Sequence, residues 1–141
     1  MLPTEFDDSL RACLSRVFLN HPVAIAYLYG SVAAGRATPL SDVDIAVVLV
    51  GGQFDPEGRL ALELKIEDDI VLTCGLSKVD VRAINDAPLM TRGEVVTHGI
   101  LLYSRDESFR VSFETSTRSE YFDFLPVAVL HQKAYIERQD K

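Results

Sequence analysis

The stretch that decides the fold covers residues 28–45 and reads LYGSVAAGRATPLSDVDI. It is preceded by the apolar run VAIAY and followed by AVVLV. Short apolar runs that are rich in β-branched and aromatic residues are typical of buried strands. The sequence therefore predicts two strands, at 23–29 and 43–50, joined by a helical turn at 32–35 and a loop at 38–41.

Gly30 and Ser31 stand where the first strand gives way to the helical turn. The start of a helix offers unpaired amide groups and a positive dipole end, which suit a phosphate. Glycine has no Cβ, so a ligand can approach the backbone closely, and the serine hydroxyl adds a donor. A glycine after a strand is usually only a turn, and that simpler interpretation stays open for this pair taken alone.

Asp42 and Asp44 are two residues apart at the start of the second strand. Side chains two apart on a strand share a face, so these carboxylates lie side by side. Adjacent carboxylates repel each other unless a cation neutralises them, and Mg²⁺ prefers such oxygen ligands together with phosphates. A solvated strand end is the alternative, but two charges at the start of an otherwise apolar strand are costly.

The rest of the chain alternates helical and extended patterns, with no linker that would divide it. We predict a single domain over 1–141 of the α+β class, with a small mixed sheet of three or four strands flanked by helices. The segment 107–141 should be mainly helical, with a break or kink near Pro126. The other predicted elements are a helix at 4–19 capped by Thr4, a helix at 59–73, a strand at 79–84, a short helix at 88–97 and a short strand at 100–103.

The helix predicted at 59–73 indicates where a third carboxylate, that of Asp80, should lie. A helical crossover between two strands normally returns the chain to a parallel strand, so the second and third strands should begin at the same end of the sheet. Asp80 lies at the start of the third strand and should meet Asp42 and Asp44 there. Three carboxylates beside a phosphate site match two-metal phosphoryl transfer. Asp42 and Asp44 would hold the metals, and Asp80 would hold a metal or help to take the acceptor's proton.

The composition excludes several other classes of function. The formal net charge is −7 and no dense Lys/Arg run is present, which argues against direct nucleic-acid binding. The longest apolar run, 45–50, is too short to span a membrane, and no basic leader begins the chain. We therefore expect a cytoplasmic protein without a membrane partner. Cys13 and Cys74 belong to no C-x-x-C pair, and we expect both to be reduced core residues.

The spacing of these motifs resembles that of a known superfamily. Gly-Ser, ten residues and then Asp-x-Asp is similar to the signature of the DNA polymerase β-like nucleotidyltransferases. The fuller string L-Y-G-S-x-A-x-G-x-A-x-x-x-S-D-x-D-I resembles the minimal nucleotidyltransferase (MNT) branch of that superfamily. Three later segments resemble the same branch: INDAPL at 84–89, GEVVTHGILLY at 93–103 and YFDF at 121–124.

The resemblance implies a nucleotidyltransferase fold and a specific role. MNT proteins are antitoxins that pair with a HEPN-domain RNase toxin in a hetero-oligomer, and active members transfer AMP from ATP to a tyrosine of that toxin. By this resemblance Mg²⁺ is held by Asp42, Asp44 and Asp80, and the nucleotide by Gly30, Ser31, Arg36 and Ser41. One departure is that Ala34 stands where the family often has a basic residue; Arg36 is the candidate replacement.

Two other functions remain open. A nucleotidyltransferase that modifies a small molecule usually carries a further substrate-binding domain, and the 35 residues of 107–141 leave little room for one. A non-catalytic antitoxin would instead block its toxin by binding alone, with the aromatic and apolar segment 121–130 as the interface. The same segment could equally pack onto the protein's own sheet.

Overall fold

The computed structural model describes residues 7–30, 42–51 and 54–139. Within them the chain alternates helices and strands along its length. In chain order the elements are α1 (Asp8–Leu19), β1 (Val23–Tyr29), β2 (Val43–Leu49), α2 (Pro56–Cys74), β3 (Val79–Ala83), α3 (Leu89–His98), β4 (Ile100–Ser104) and α4 (Glu107–Gln139).

The four strands form one mixed sheet in the order β3-β2-β1-β4. Strand β1 pairs antiparallel with β2 and with β4, whereas β2 and β3 are parallel. The parallel pair is joined through α2, as the predicted helical crossover requires. The predicted α+β class, with a small mixed sheet flanked by helices, is confirmed, and so is the common end at which β2 and β3 begin.

Helices cover both faces of the sheet. Alternate strand residues such as Leu28, Ile45 and Val47 pack on one face against side chains of α1 and α2, including Phe18 and Ile66. The other face packs against α3 and α4 through a second group that comprises Ala24, Ile25, Tyr27, Ala46, Val48, Ile84, Val95 and Val96, with Phe113 of α4 against it. Burial on both faces explains why β1 and β2 are almost wholly apolar. No helix within the described part of the chain is long and apolar enough to cross a membrane.

Strand β3 lies at one edge of the sheet, and two glutamates of α2 cover its outer side. Glu67 accepts a hydrogen bond from the Val81 amide at 2.8 Å, and Glu63 accepts one from the Ala83 amide at 2.7 Å. Main-chain amides at a sheet edge otherwise need water or another partner. The two carboxylates therefore complete the hydrogen bonding of this edge strand and hold α2 against it.

Two helix starts differ from the sequence prediction. Helix α1 begins at Asp8 and is capped by Asp7, whose carboxylate accepts from the Leu10 amide at 2.9 Å. The predicted cap, Thr4, lies outside the described residues, and the observed cap is further along because aspartate caps helices as well as threonine does. Helix α2 begins at Pro56, three residues before the predicted start, because proline fits the first turn of a helix as readily as it fits a turn.

Of the predicted break or kink near Pro126, the break is wrong, since α4 runs as one helix from Glu107 to Gln139. A proline inside a helix removes one amide donor and leaves the carbonyl four residues earlier, that of Phe122, without its helical partner. Both Pro126 and Phe122 are exposed. Water can therefore bond that carbonyl, which lowers the penalty and lets the helix continue.

The prediction that both cysteines are reduced is also wrong. Cys13 of α1 and Cys74, the last residue of α2, form a disulfide with a Cα–Cα distance of 5.8 Å. The two residues are 61 apart in sequence and meet because α1 packs beside α2. Such a pairing follows from the helix packing, and the sequence spacing of two isolated cysteines carries no signal for it.

Candidate active site

Three side chains form a row across one end of the sheet. Tyr29 is paired with Asp44 between β1 and β2, and Asp44 is paired with Asp80 between β2 and β3. Residues directly opposite each other on neighbouring strands project from the same face. Asp42 lies two residues before Asp44 and is exposed. The structure thus places Asp44 directly opposite Asp80, with Asp42 just before β2. We call these three aspartates, Asp42, Asp44 and Asp80, the carboxylate row.

Gly30, the residue after β1, lies against Asp44 of this row. Gly30 has a φ of +77°, a left-handed conformation that side-chain-bearing residues rarely adopt. A Cβ placed on Gly30 would be 2.5 Å from Oδ2 of Asp44. Glycine is therefore required twice, once for the backbone conformation and once for the space that the Asp44 carboxylate occupies. The glycine turn and the first carboxylates form one compact unit.

Negative charge is concentrated here. Burial raises the pKa of the Asp44 carboxyl, and the nearby carboxylates of Asp80 and Asp42 raise it further, while Arg82 opposes them. The pKa of the Tyr29 hydroxyl is raised in the same way, by burial first and then by Asp44 and Asp80. Groups whose pKa is shifted by like charges mark places where a bound cation would relieve repulsion.

Arg82 is a cationic side chain that contacts the carboxylate row. It follows Asp80 by two residues on β3, and its Nε donates to Oδ1 of Asp80 at 3.0 Å. The side chain of Arg82 is 64% exposed and that of Asp80 is 36% exposed. Sequence reasoning did not select Arg82, although strand alternation places it on the same face as Asp80 and could have identified it.

The donor atoms of the carboxylate row suit a hard divalent cation. All are carboxylate oxygens, which Mg²⁺ prefers, and Oδ2 of Asp44 occupies the space that a Cβ on Gly30 would fill. Among the described residues, however, no three His, Cys, Asp or Glu side chains are gathered closely enough to share a metal ion. One oxygen of Asp80 is, in addition, already paired with Arg82. The residues fit the metal by chemistry, and Asp80 would have to exchange partners to bind it.

The remaining predicted nucleotide ligands, Ser31, Arg36 and Ser41, lie outside the described residues, so their roles stay predictions. The INDAPL segment that follows β3 is described, and its asparagine has a structural role. Asn85 accepts from the Leu49 amide at 2.8 Å and donates to the Leu49 carbonyl at 3.0 Å. It extends the sheet at the far end of β2, away from the carboxylate row.

The sequence left open whether the segment 121–130 packs within the protein or forms an interface. Its residues fall into two groups, one buried and one exposed. Tyr121 is buried and donates to Oε1 of Glu94 at 2.7 Å, so it packs α4 onto α3. Apolar side chains after it face outward on α4 and are 40–66% exposed: Phe122, Phe124, Val127, Val129 and Leu130. We call these five residues the outer face of α4.

A comparison with protein-family models matches residues 14–108 to the family described as "Polymerase beta, Nucleotidyltransferase". The matched range runs from α1 to the start of α4 and contains the whole carboxylate row. The chain belongs to the polymerase β nucleotidyltransferase family. The resemblance seen in residues 28–45 is thereby confirmed at the level of the family. A comparison with the curated proteins finds none that matches significantly.

Solved structures with the same fold include several toxin–antitoxin complexes. The chain is similar to a chain of a toxin–antitoxin complex with AMP-PNP, with a TM-score of 0.66, 22% identity and coverage of 93% of this chain and 98% of the other. For the MntA–HepT complex the TM-score is 0.64 at 20% identity, covering 96% and 100%. For a tri-AMPylated Shewanella oneidensis HEPN toxin in complex with an MNT antitoxin the TM-score is 0.63 at 21% identity, covering 94% and 98%. These likenesses confirm the nucleotidyltransferase fold.

Proposed function

We propose that this chain is an antitoxin that transfers AMP from ATP to a tyrosine hydroxyl of a HEPN-type toxin and so neutralises it. The family supports nucleotidyl transfer. Relatives in fold that are solved with AMP-PNP, or beside an AMP-modified HEPN toxin, support ATP as the donor and a toxin as the partner. The observation that carries the proposal is the in-register pair of Asp44 and Asp80 beside the Cβ-free backbone of Gly30.

Each residue then has a definite task. Gly30 and Ser31 would receive the phosphates at the start of the helical turn, with Arg36 and Ser41 as further contacts. The carboxylate row would hold Mg²⁺, which supplies positive charge to the phosphates and lowers the pKa of the attacking hydroxyl. Through that cation Asp42, just before β2, and Asp44, within it, would fix the α-phosphate relative to the acceptor, so positioning is the main contribution of the protein.

The transfer is a substitution at the α-phosphorus of ATP. The phenolic oxygen of the acceptor forms a new bond to that phosphorus while the bond to the oxygen bridging to the β-phosphate breaks, and pyrophosphate leaves. The phenolic proton passes to a carboxylate, for which Asp80 is the candidate because it lies at the outer side of the row. The product is a phosphodiester between tyrosine and AMP.

Neutralisation by binding alone is the second candidate function, because the outer face of α4 is exposed and apolar. Such a surface fits a protein partner whether or not AMP is transferred. Transfer to a small molecule is the remaining alternative.

One experiment separates these functions. The chain is mixed with its partner toxin, ATP and Mg²⁺, and the mass of the toxin and its RNase activity are measured. A double variant, Asp42→Asn with Asp44→Asn, removes two carboxylates of the row at nearly constant shape. Asp68→Asn is the matched control, because Asp68 is an exposed carboxylate on α2 that does not belong to the row.

We expect the wild type and the Asp68 variant to add AMP to the toxin and to silence it, and the double variant to do neither. If the double variant silences the toxin as fully as the wild type does, binding alone is the function. If the wild type leaves the toxin's mass unchanged, the proposed acceptor is wrong.

A further inference from the structure

Asp80 is the one member of the carboxylate row for which the described structure records a cationic side-chain partner. Its Oδ1 accepts from Nε of Arg82, at 3.0 Å. The same arginine also opposes the rise in the pKa of Asp44, so its charge acts on a second member of the row. Arg82 thus occupies, electrostatically, the place that a bound metal would take. An inference about Arg82 rests on the proposed function in one respect, namely that the row binds a divalent cation.

We infer that Arg82 is the resident counter-ion of Asp80, which a divalent cation must displace in order to enter the carboxylate row. With the guanidinium in place, repulsion among the three aspartates is partly relieved and the empty site tolerates its charge. When the cation arrives, the Asp80 carboxylate exchanges Arg82 for it. The guanidinium then moves into solvent.

The exposure and the geometry of Arg82 allow this exchange. Its side chain is 64% exposed, so the guanidinium can leave without breaking packed contacts. Only Nε contacts Asp80 in the described structure, which is weaker than the two-pronged arginine–carboxylate arrangement. Across β2, Arg82 is paired with Ala46, whose small side chain does not restrain the long one. The pair is therefore a replaceable contact.

The positive charge of Arg82 should lower the affinity of the site for a divalent cation in two ways. An arginine on Asp80 competes with the metal for the same carboxylate, and its positive charge repels a dication that binds nearby. Exposed ion pairs of this kind change an equilibrium constant by up to roughly fivefold. Removing the charge at position 82 should therefore tighten binding of a free divalent cation by about fivefold.

The test uses the isolated full chain and Mn²⁺ alone, without nucleotide or toxin. Binding is measured by calorimetry and by the rise in melting temperature that Mn²⁺ produces. The variants are Arg82→Gln, which removes the charge, and Arg82→Lys, which keeps it. Arg59→Gln is the matched control, because Arg59 also makes an exposed ion pair, with Asp86 at 3.5 Å, away from the row.

We expect Arg82→Gln to bind Mn²⁺ about fivefold more tightly than the wild type and to gain more melting temperature from it. Arg82→Lys and Arg59→Gln should stay within about twofold of the wild type. Equal or weaker Mn²⁺ binding by Arg82→Gln would overturn the inference.

A further variant distinguishes failure of the inference from failure of the proposed function. If Asp44→Asn abolishes Mn²⁺ binding while Arg82→Gln leaves it unchanged, only the role of Arg82 is wrong. If Asp44→Asn binds Mn²⁺ as well as the wild type does, the row is not the metal site, and both proposals fail.

Discussion

Replacing Gly30 with alanine tests whether the turn after β1 and the Asp44 carboxylate act as one unit. The added Cβ would lie 2.5 Å from Oδ2 of Asp44, whereas ordinary contact begins at 3.4 Å, so the two groups must separate by about 0.9 Å. The left-handed backbone of residue 30 also disfavours alanine, by about 1–2 kcal/mol. The substitution therefore displaces a proposed metal ligand and adds a modest backbone penalty.

The displacement of the Asp44 carboxylate should mainly lower the rate of AMP transfer, whereas the backbone penalty should mainly lower stability. A misplacement of about 1 Å at a reacting centre can lower a rate about 100-fold. A loss of about 1–2 kcal/mol leaves a domain of ordinary stability folded, with a melting temperature lower by several degrees. We expect Gly30→Ala to fold and to transfer AMP about 100-fold more slowly than the wild type.

Gly75→Ala is the matched control for the backbone penalty. Gly75 has a φ of +74°, close to that of Gly30, but no atom lies within 4 Å of the Cβ that alanine would add. The assay compares single-turnover AMP transfer and urea unfolding for both variants. Gly75→Ala should lose similar stability and keep its activity. Transfer at the wild-type rate by Gly30→Ala, or an equal loss of rate in Gly75→Ala, would refute the reasoning.

Three further predictions concern the scaffold. Cys13→Ser opens the 61-residue loop closed by the disulfide and should lower the free energy of unfolding by about 4 kcal/mol in non-reducing buffer. Excess thiol should abolish that difference, and equal stabilities without thiol would contradict it. Gly93→Ala places a Cβ into the ring of Tyr121 and should destabilise the chain by about 1–3 kcal/mol in urea; an unchanged midpoint would show that α3 and α4 can separate freely. Hydrogen bonds from His21 and Thr73 hold the pKa of the Asp69 carboxyl below its usual range. Asp69→Asn should therefore be less stable than the wild type above about pH 5, with the difference fading as the pH falls below about 4, and a gap that widens on acidification would argue against this pair.

Local patterns in the sequence were enough to place the strands and the carboxylate row. The apolar run of β1 is bounded by Pro22 and Gly30, so the strand occupies 23–29 as predicted. The helix between β2 and β3 fixed their parallel direction, and this direction brought Asp80 beside Asp44. These features depend on hydrophobic periodicity, on the proline and glycine residues that bound the strands, and on the rule that helical crossovers join parallel strands. All three can be recognised in the sequence without knowledge of any distant contact.

Features that depend on distant packing could not be read in this way. The disulfide needed the relative position of two helices, and the continuity of α4 through Pro126 needed the exposure of its neighbours. The ion pair of Arg82 with Asp80 depends on a side-chain conformation. The space that Asp44 takes from Gly30 depends on how β1 ends, which the pattern of apolar residues does not specify.

The two glutamates that cover the outer side of β3 limit how an acceptor can arrive. A peptide that joins a sheet as an extra strand needs free main-chain donors at the edge. The outward amides of Val81 and Ala83 are already bonded to Glu67 and Glu63, so the edge nearest Asp80 offers no template for an added strand. Under the proposed function, a residue of the partner would then reach the carboxylates as a single projecting side chain on the face of the sheet. Recognition of the partner would then depend on the shape of its surface around that side chain, and a matching stretch of extended backbone would not be needed.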